Sequence, residues 1–228
     1  ETVKSVVDAR FGRGVIEVAE QKELRGTGDA IRQALPLLSN EPAEAQVLIL
    51  SGDAPLVKAN TIEDLFAETG DGVLGLVSST VEDPFGYGRV VRDEIGKVLC
   101  VTEEKDADAT VRAIREVNAG IYVIQLGFLR EELERLENSN AQGEYYLTDL
   151  VKRAAERHRV GQVSAPFAEI AGINNRVELA RTDELARRAI HERWMREGVS
   201  FSSPAATYVD ADVESIGPDT QIGAGAHL

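Results

Sequence analysis

The stretch VLILSGDAPL, residues 47–56, decides the fold of this 228-residue chain. Val47–Leu50 form an unbroken aliphatic run, which is typical of a strand covered on both faces in a parallel sheet. The polar residues that follow stand where the strand ends, and open α/β sheets bind ligands at the carboxyl ends of their strands. Asp53 at this position is suited either to hold Mg²⁺, which prefers hard oxygen ligands, or to cap the next turn. This stretch alone leaves the two interpretations equally good.

Apolar runs of strand length alternate with amphipathic segments along the rest of the chain. The runs GVLGLVSS, KVLCVTEE, EVNAGIYVI and VGQVSAP predict strands, and so does VIEVAEQ at residues 15–21. Helical periodicity predicts helices that include FLREELERL and a long charged helix over residues 177–197. Strands that alternate with helices predict an α/β fold with a mostly parallel sheet.

A six-residue repeat occupies the last part of the sequence. IGPDTQ (216–221) and IGAGAH (222–227) are two copies of one unit, and Leu228 opens a third. An aliphatic residue every six positions, followed by glycine, is typical of a parallel β-helix. Two units cannot bury their faces without stacked neighbours, so the pattern predicts only the beginning of such a helix.

Composition and charge narrow the function classes. The formal charge is −14, from 39 acidic and 25 basic residues, and no Lys and Arg cluster suggests a groove for nucleic-acid phosphates. An acidic protein can still bind a nucleotide when a divalent cation screens the phosphates. The single cysteine, Cys100, excludes an internal disulfide and fits a reducing, cytoplasmic location. No GxSxG, HExxH, CxxC or Walker A pattern is present, which argues against several hydrolase and NTPase classes.

Three further motifs each allow a functional and a structural interpretation. The glycines of Gly26–Gly28 either bring backbone N–H groups to a ligand or form an ordinary turn. Asn174 offers an amide oxygen to Mg²⁺, but this motif alone favours a helix N-cap at Asn175 or Asn174. The segment NAQGEYYLTD, residues 140–149, offers either sugar contacts or a helix cap with a core aromatic pair.

Taken in order, the motifs resemble one family. AEQKELRGTGDA, LSGDAPL, DPFGYGRVV, VTEEKDA, EVNAGIYV, NAQGEYYLTDL and AGINNR are similar to the uridyltransferase half of the bifunctional N-acetylglucosamine-1-phosphate uridyltransferase/glucosamine-1-phosphate acetyltransferase. The resemblance spans nearly the whole chain. It implies a Rossmann-like nucleotidyltransferase domain at residues 1–176, a linking helical arm at 177–198, and the start of a left-handed β-helix at 199–228.

The resemblance also implies an activity. It is the Mg²⁺-dependent transfer of a uridylyl group from UTP to N-acetylglucosamine-1-phosphate, giving UDP-N-acetylglucosamine and pyrophosphate for cell-wall and lipopolysaccharide precursors. The whole protein would form a homotrimer through its β-helix and would also acetylate glucosamine-1-phosphate, with a half that this sequence does not include. The family's glycine-rich phosphate loop, with its arginine and lysine, is also not in the sequence, so we expect this chain by itself to be inactive. Two alternatives are another sugar-1-phosphate nucleotidyltransferase and a non-catalytic sugar-nucleotide-binding subunit.

The family's functional residues map onto this sequence in four groups. The Mg²⁺ ligands, which would act in catalysis through the metal, are Asp53 and Asn174. The uracil contacts are Gln21, Gly26 and Thr27. The segment near the ribose and phosphate is Ser51, Gly52 and Asp53, with Ser51 where the family often has tyrosine. The N-acetylglucosamine pocket is Gly88, Glu103, Asn118, Tyr146 and Thr148.

Overall fold

The computed structural model describes residues 2–12 and 14–228, and it shows an α/β fold. The chain divides into two compact units. The N-terminal unit consists of Glu1–Ser51 and Val57–Phe167, and the C-terminal unit consists of Gly52–Leu56 and Ala168–Leu228. The division predicted from the sequence, with boundaries after residues 176 and 198, stays a prediction.

The helices and strands follow one another in an alternating order. The helices are α1 (Thr2–Phe11), α2 (Thr27–Ala34), α3 (Ala59–Thr69), α4 (Ala109–Arg112), α5 (Leu126–Glu134), α6 (Asp149–Ala155), α7 (Phe167–Ile170) and α8 (Arg176–Arg196). The strands are β1 (Gln46–Ile49), β2 (Leu74–Thr80), β3 (Arg89–Arg92), β4 (Val98–Thr102), β5 (Glu116–Gln125), β6 (Gly161–Ser164), β7 (Ser200–Phe201) and β8 (Gln221–Ile222). The alternation confirms the α/β class.

The main sheet is mixed. Its order over the described residues is β4-β3-β5-β2-β6, and β1 also pairs with β5. β5 runs antiparallel to β1, β2 and β3, whereas β2 and β6 are parallel. The predicted mostly parallel arrangement therefore holds for strand direction, since β1, β2, β3 and β6 point the same way, but not for the pairing of neighbours. The first apolar run, which became β1, is only half-buried, and Leu50 after it is 51% exposed, so the predicted burial on both faces is wrong there. An apolar run alone fixes neither its burial nor its strand direction.

A large apolar core cluster packs against this sheet in the N-terminal unit. Strands β2 and β5 supply Leu76 and Ile124, and the covering helices supply Leu129 and Leu150; all four side chains are fully buried. Burying one such side chain stabilises a protein by about 1.5–3 kcal/mol, so this core contributes strongly to the stability of the sheet around β5.

The predicted strand VIEVAEQ is wrong. No strand forms over residues 15–21, and Val15 and Val18 are 69% and 54% exposed. A strand needs a neighbour to satisfy its N–H and C=O groups, and none of the described strands pairs with this segment. The alternation of apolar residues favours a strand, but only a pairing partner stabilises one.

Helix α8 dominates the C-terminal unit and confirms the long helix that was predicted. Asn175 caps it, since its Oδ1 accepts hydrogen bonds from the N–H groups of Val177 and Glu178, each at 3.0 Å. Charged residues cover most of its surface, and no helix in the described part of the chain combines the length and apolar character of a membrane span.

Parallel pairings join the segments that follow α8. Strands β7 and β8 pair Ser200 with Gln221, and Tyr208 forms an isolated parallel bridge with His227. The buried side chain of Ile222, which opens the second predicted repeat, packs in a small core with Trp194. These pairings suit a coil of stacked segments, while the left-handed β-helix itself stays a prediction.

Candidate functional site

Four of the five residues predicted to contact the sugar are joined by direct contacts in the N-terminal unit. The Thr148 hydroxyl donates to Oε1 of Glu103 at 2.9 Å. The Asn118 backbone N–H donates to the carbonyl of Gly88 at 2.9 Å. A Cβ added to Gly88 would lie 3.4 Å from Oε2 of Glu103, so the glycine backbone faces this carboxylate closely. The end of β4, the start of β5 and the loop before α6 thus place one carboxylate, one amide and one hydroxyl together.

Burial controls the ionisation of this cluster. Burial is the main cause that raises the pKa of Glu103; the nearby carboxylates of Asp106, Asp149 and Glu144 act in the same direction, and the Thr148 hydrogen bond opposes them. The carboxylate is thus short of hydrogen-bond donors, which the hydroxyls of a sugar would supply.

Tyr146, the fifth predicted sugar contact, lies beside the same carboxylate. Its ring is buried, and its hydroxyl accepts a hydrogen bond from the Gln142 side chain at 2.9 Å. Burial raises the pKa of Tyr146 to about 12, with smaller contributions first from Asp106 and then from Glu103, while the Gln142 hydrogen bond opposes them. The phenol is therefore neutral at physiological pH, and it is already hydrogen-bonded to Gln142 and to Asp106.

The residues predicted to contact uracil are tied to the sugar segment. The Gln21 amide donates to the carbonyl of Gly26 at 3.1 Å and to the buried carboxylate of Asp29 at 2.8 Å. Thr27 Oγ1 accepts from the backbone N–H of Leu147 at 3.1 Å. The predicted uracil and sugar residues of the N-terminal unit therefore share one hydrogen-bonded framework.

Gly26 must be glycine for two reasons. Its φ of +98° lies where other residues are strained, and an added Cβ would lie 2.7 Å from the carbonyl oxygen of Tyr145. The same backbone approach carries hydrogen bonds on both sides of Tyr145, from its N–H to Arg25 and from the N–H of Gly28 to its carbonyl. The turn that the sequence left open is thus a close backbone contact.

Ser51 and Gly52 follow β1 and are exposed. Oγ of Ser51 lies 3.6 Å from the position of a Cβ on Gly120, which places Ser51 beside β5, two residues from Asn118. Nothing lies within 4 Å of a Cβ on Gly52, so this backbone is open to a ligand.

Asp53 contacts the segment before α8 inside the C-terminal unit. Its carbonyl accepts a hydrogen bond from the N–H of Ile173 at 3.0 Å. A Cβ on Gly172 would lie only 2.9 Å from Oδ2 of Asp53, so the glycine lets the backbone approach this carboxylate. The Asp53 side chain is exposed, and within residues 2–12 and 14–228 no side chain forms an ion pair with it.

Asn174 follows directly and is also exposed. Its backbone N–H donates to Oε2 of Glu178 at 2.6 Å, and its side chain is hydrogen-bonded to the same carboxylate. The N–H of Asn174 is the main cause that lowers the pKa of Glu178. Asn174 and Asp53 are therefore held on adjoining segments by the Asp53–Ile173 hydrogen bond.

The predicted site residues fall into both units. Asp53 and Asn174 belong to the C-terminal unit, and the sugar and uracil residues belong to the N-terminal unit. In the part of the chain that the structure describes, no three His, Cys, Asp or Glu side chains group as a metal cluster. The predicted pair of ligands, one carboxylate and one amide, is a smaller set than such a cluster.

Sequence reasoning missed several supporting residues. Gly172 lies against Asp53, Tyr122 contacts Asn118, and buried Arg89 donates to Glu104 at 2.7 Å. Glu104 also accepts from the N–H of Gly86, in the loop that leads to Gly88. In the sequence, Gly172 appears only as a glycine in GINNR, and Tyr122 only as a tyrosine four residues after the asparagine of NAGIY. Neither pattern indicates a contact until the path of the chain in space is known.

Comparison with known proteins identifies relatives over nearly the whole chain. It is similar to the "Bifunctional protein GlmU" of Caldanaerobacter subterraneus subsp. tengcongensis, with 42% identity over 93% of this chain and 46% of that protein. The protein of the same name from Thermoanaerobacter pseudethanolicus is 40% identical over 97% of this chain and 47% of that protein. For Exiguobacterium sibiricum the identity is 40% over 100% of this chain and 50% of that protein.

The chain therefore spans about half the length of the curated relatives that it matches. A family profile described as "Nucleotidyl transferase" matches residues 6–168, which include the predicted uracil and sugar residues. These findings confirm the resemblance drawn from the motifs and support a transferase. The chain belongs to the nucleotidyl transferase family.

Proposed function

We propose that this chain binds UTP and N-acetylglucosamine-1-phosphate for the Mg²⁺-dependent formation of UDP-N-acetylglucosamine and pyrophosphate. The observation that carries the proposal is the cluster of Gly88, Glu103, Asn118 and Thr148. Its carboxylate and amide offer acceptors in a half-buried position, which suits a ligand rich in hydroxyl groups. The "Nucleotidyl transferase" profile that matches the same residues supports a nucleotide as one substrate.

The residues Asp53 and Asn174 fit a magnesium ion. Both offer hard oxygen atoms on exposed side chains, and Gly172 leaves room for the Asp53 carboxylate. When the Asn174 side chain donates to Glu178, its amide oxygen is the atom left for a cation. A bound Mg²⁺ would supply charge neutralisation where phosphate groups meet.

The residues of this chain would contribute alignment. Glu103 and Asn118 would accept hydrogen bonds from the sugar, and Gly88 would let the backbone approach it closely. The Gly26 turn would hold the base through Gln21 and Thr27. Nucleotidyl transfer needs the attacking phosphate oxygen in line with the leaving pyrophosphate, so fixing both ends of the substrates lowers the barrier.

Binding is the first test of this proposal. Isothermal titration calorimetry with UDP-N-acetylglucosamine, UDP-glucose and dTDP-glucose in Mg²⁺ should show the tightest binding for the first ligand. Preferential binding of another sugar nucleotide would point to a different sugar-1-phosphate nucleotidyltransferase. A whole protein that binds the nucleotide sugar but forms no pyrophosphate would be a non-catalytic subunit.

The metal assignment is tested by Asp53→Ala in the whole protein. We expect it to remove most of the Mg²⁺-dependent turnover and to leave the melting temperature within a few degrees of the wild type, because Asp53 is exposed. Asp64→Ala, which removes an exposed carboxylate from α3, is the matched control. Unchanged turnover in Asp53→Ala would count against Asp53 as a metal ligand.

The location of the protein, its β-helix and its trimer are proposed from the family resemblance. We propose a cytoplasmic protein whose repeat segment continues as a left-handed β-helix and joins three copies. The parallel pairings of Ser200 with Gln221 and of Tyr208 with His227 support the coil. Sedimentation equilibrium of the whole protein tests the trimer.

A further inference from the structure

The side-chain amide of Asn118 is only half satisfied by the protein. Its Nδ2 donates to the hydroxyl of Tyr122 at 2.7 Å. Its Oδ1 is buried, and no hydrogen-bond partner for it exists among the described residues. Buried acceptors in native proteins nearly always have a partner, so this unpaired oxygen calls for a donor, which is either a water molecule or a group of a ligand.

The Tyr122 contact depends on a bend in β5. Residues four apart in a regular strand are separated by about 13 Å, which is too far for their side chains to form a hydrogen bond without a bend in the strand. Gly120 lies midway between them and has a φ of +70°, and it carries no side chain that would fill the space. The bend at Gly120 lets the Tyr122 hydroxyl reach back to Asn118.

The tyrosine itself is firmly held. It is 2% exposed, and its backbone pairs with Leu76 on β2 and with Ile49 on β1. Burial raises the pKa of its hydroxyl, so the group stays neutral and keeps its lone pairs for the Asn118 amide. A side chain fixed by the core on both sides is a rigid reference for the amide of Asn118.

We propose that Tyr122 is a positioning residue that turns the Asn118 amide so that its oxygen faces the sugar and selects a ligand with a hydroxyl or amide N–H donor at that place. The proposal rests on the proposed function, which assigns Asn118 to the sugar pocket. It adds the residue that orients this contact and the kind of group that the contact accepts.

The test uses Tyr122→Phe, which removes the hydroxyl and keeps the ring. Calorimetry measures the affinity for UDP-N-acetylglucosamine and for derivatives in which one donor of the sugar is replaced, a hydroxyl by fluorine or the acetamido N–H by N-methyl. For the wild type, we expect one derivative to bind about tenfold more weakly, because it leaves the Asn118 oxygen unpaired. In Tyr122→Phe the parent ligand should bind about threefold to tenfold more weakly, and the penalty of that derivative should shrink.

Two controls separate orientation from general damage. UMP should bind the wild type and Tyr122→Phe equally, since its contacts do not involve Asn118. In an Asn118→Ala background, Tyr122→Phe should cost no further affinity, because the amide that it orients is gone. If Tyr122→Phe does not fold, nuclear Overhauser contacts between the Asn118 side-chain amide and the Tyr122 ring in the wild type provide the measurement, and their absence would overturn the proposal.

The outcomes distinguish a failure of the positioning role of Tyr122 from a failure of the proposed function. Wild-type affinity in Tyr122→Phe with an unchanged penalty for the derivative would overturn the positioning role alone. An equal loss in the Asn118→Ala background would also overturn it, since that loss reports a structural role. No binding of any sugar nucleotide by the wild type would overturn the proposed function and this inference together.

Discussion

Replacing Gly172 with alanine tests the Asp53 site at a single atom. The new Cβ would stand 2.9 Å from Oδ2 of Asp53, whereas ordinary van der Waals contact begins at 3.4 Å. The carboxylate oxygen must therefore retreat by about 0.5 Å, because close-packed atoms do not overlap. No positive φ is found at Gly172, so the backbone itself accepts alanine without strain.

The displacement affects the metal far more than the fold. The carboxylate is exposed and can rotate away, so the free energy of unfolding should change by less than about 0.5 kcal/mol. Magnesium requires oxygen ligands at about 2.0–2.1 Å in a nearly ideal octahedron, and a shift of this size is a quarter of that bond length. We expect the apparent Mg²⁺ affinity to fall about tenfold, which corresponds to about 1.4 kcal/mol.

The assay combines a binding titration with a melting curve. Mg²⁺ is titrated into the protein with UDP-N-acetylglucosamine present, and the heat of nucleotide binding reports the metal concentration at half effect. Circular dichroism gives the melting temperature. The matched control is Gly223→Ala, in the same unit, where no heavy atom lies within 4 Å of the added Cβ.

Two results would refute the reasoning. An unchanged Mg²⁺ dependence in Gly172→Ala would show that Oδ2 of Asp53 is not a ligand or is free to return to its place. A drop of many degrees in melting temperature, absent in Gly223→Ala, would show that the backbone and not the carboxylate absorbs the contact.

Two further predictions concern carboxylates near the sugar pocket. Glu103→Gln should raise the melting temperature at pH 7, because burial raises the pKa of Glu103 and its ionisation costs stability that is lost as pH rises from 4.5 through the raised pKa. It should also weaken sugar-nucleotide binding, because an amide accepts hydrogen bonds less strongly than a carboxylate. A lower melting temperature would contradict the first expectation. Glu104→Gln should lower the melting temperature at pH 7. The hydrogen bond from Arg89 holds the pKa of Glu104 below 4.5, so the difference from the wild type should vanish as pH falls through that lowered pKa, and a difference that persists there would argue against the ion pair.

Local patterns were sufficient to predict most elements of this fold. The runs that became β2, β5 and β6 were predicted as strands from their apolar residues, although only β2 is buried along nearly its whole length, while β6 is mostly half-buried or exposed. The charged segment before the repeat was predicted as a helix from its periodicity, and Asn175 supplies the cap that begins it.

Local patterns did not predict which segments pair with one another. The segment at residues 15–21 has the alternation of a strand, yet no described strand pairs with it. The direction of β5 was equally hidden, since its side chains pack the same core whichever way the backbone runs. Both errors concern hydrogen bonds between segments, which no single segment encodes.

The sequence by itself indicated the candidate residues, because Asp53, Glu103 and Asn118 stand in short motifs that resemble those of a known family. Only the tertiary structure decided which other residues serve them. Gly172 meets the Asp53 carboxylate, and Tyr122 holds the Asn118 amide across the bend at Gly120. Such contacts depend on the path of the chain in space, where one missing Cβ or one positive φ decides whether two atoms can meet.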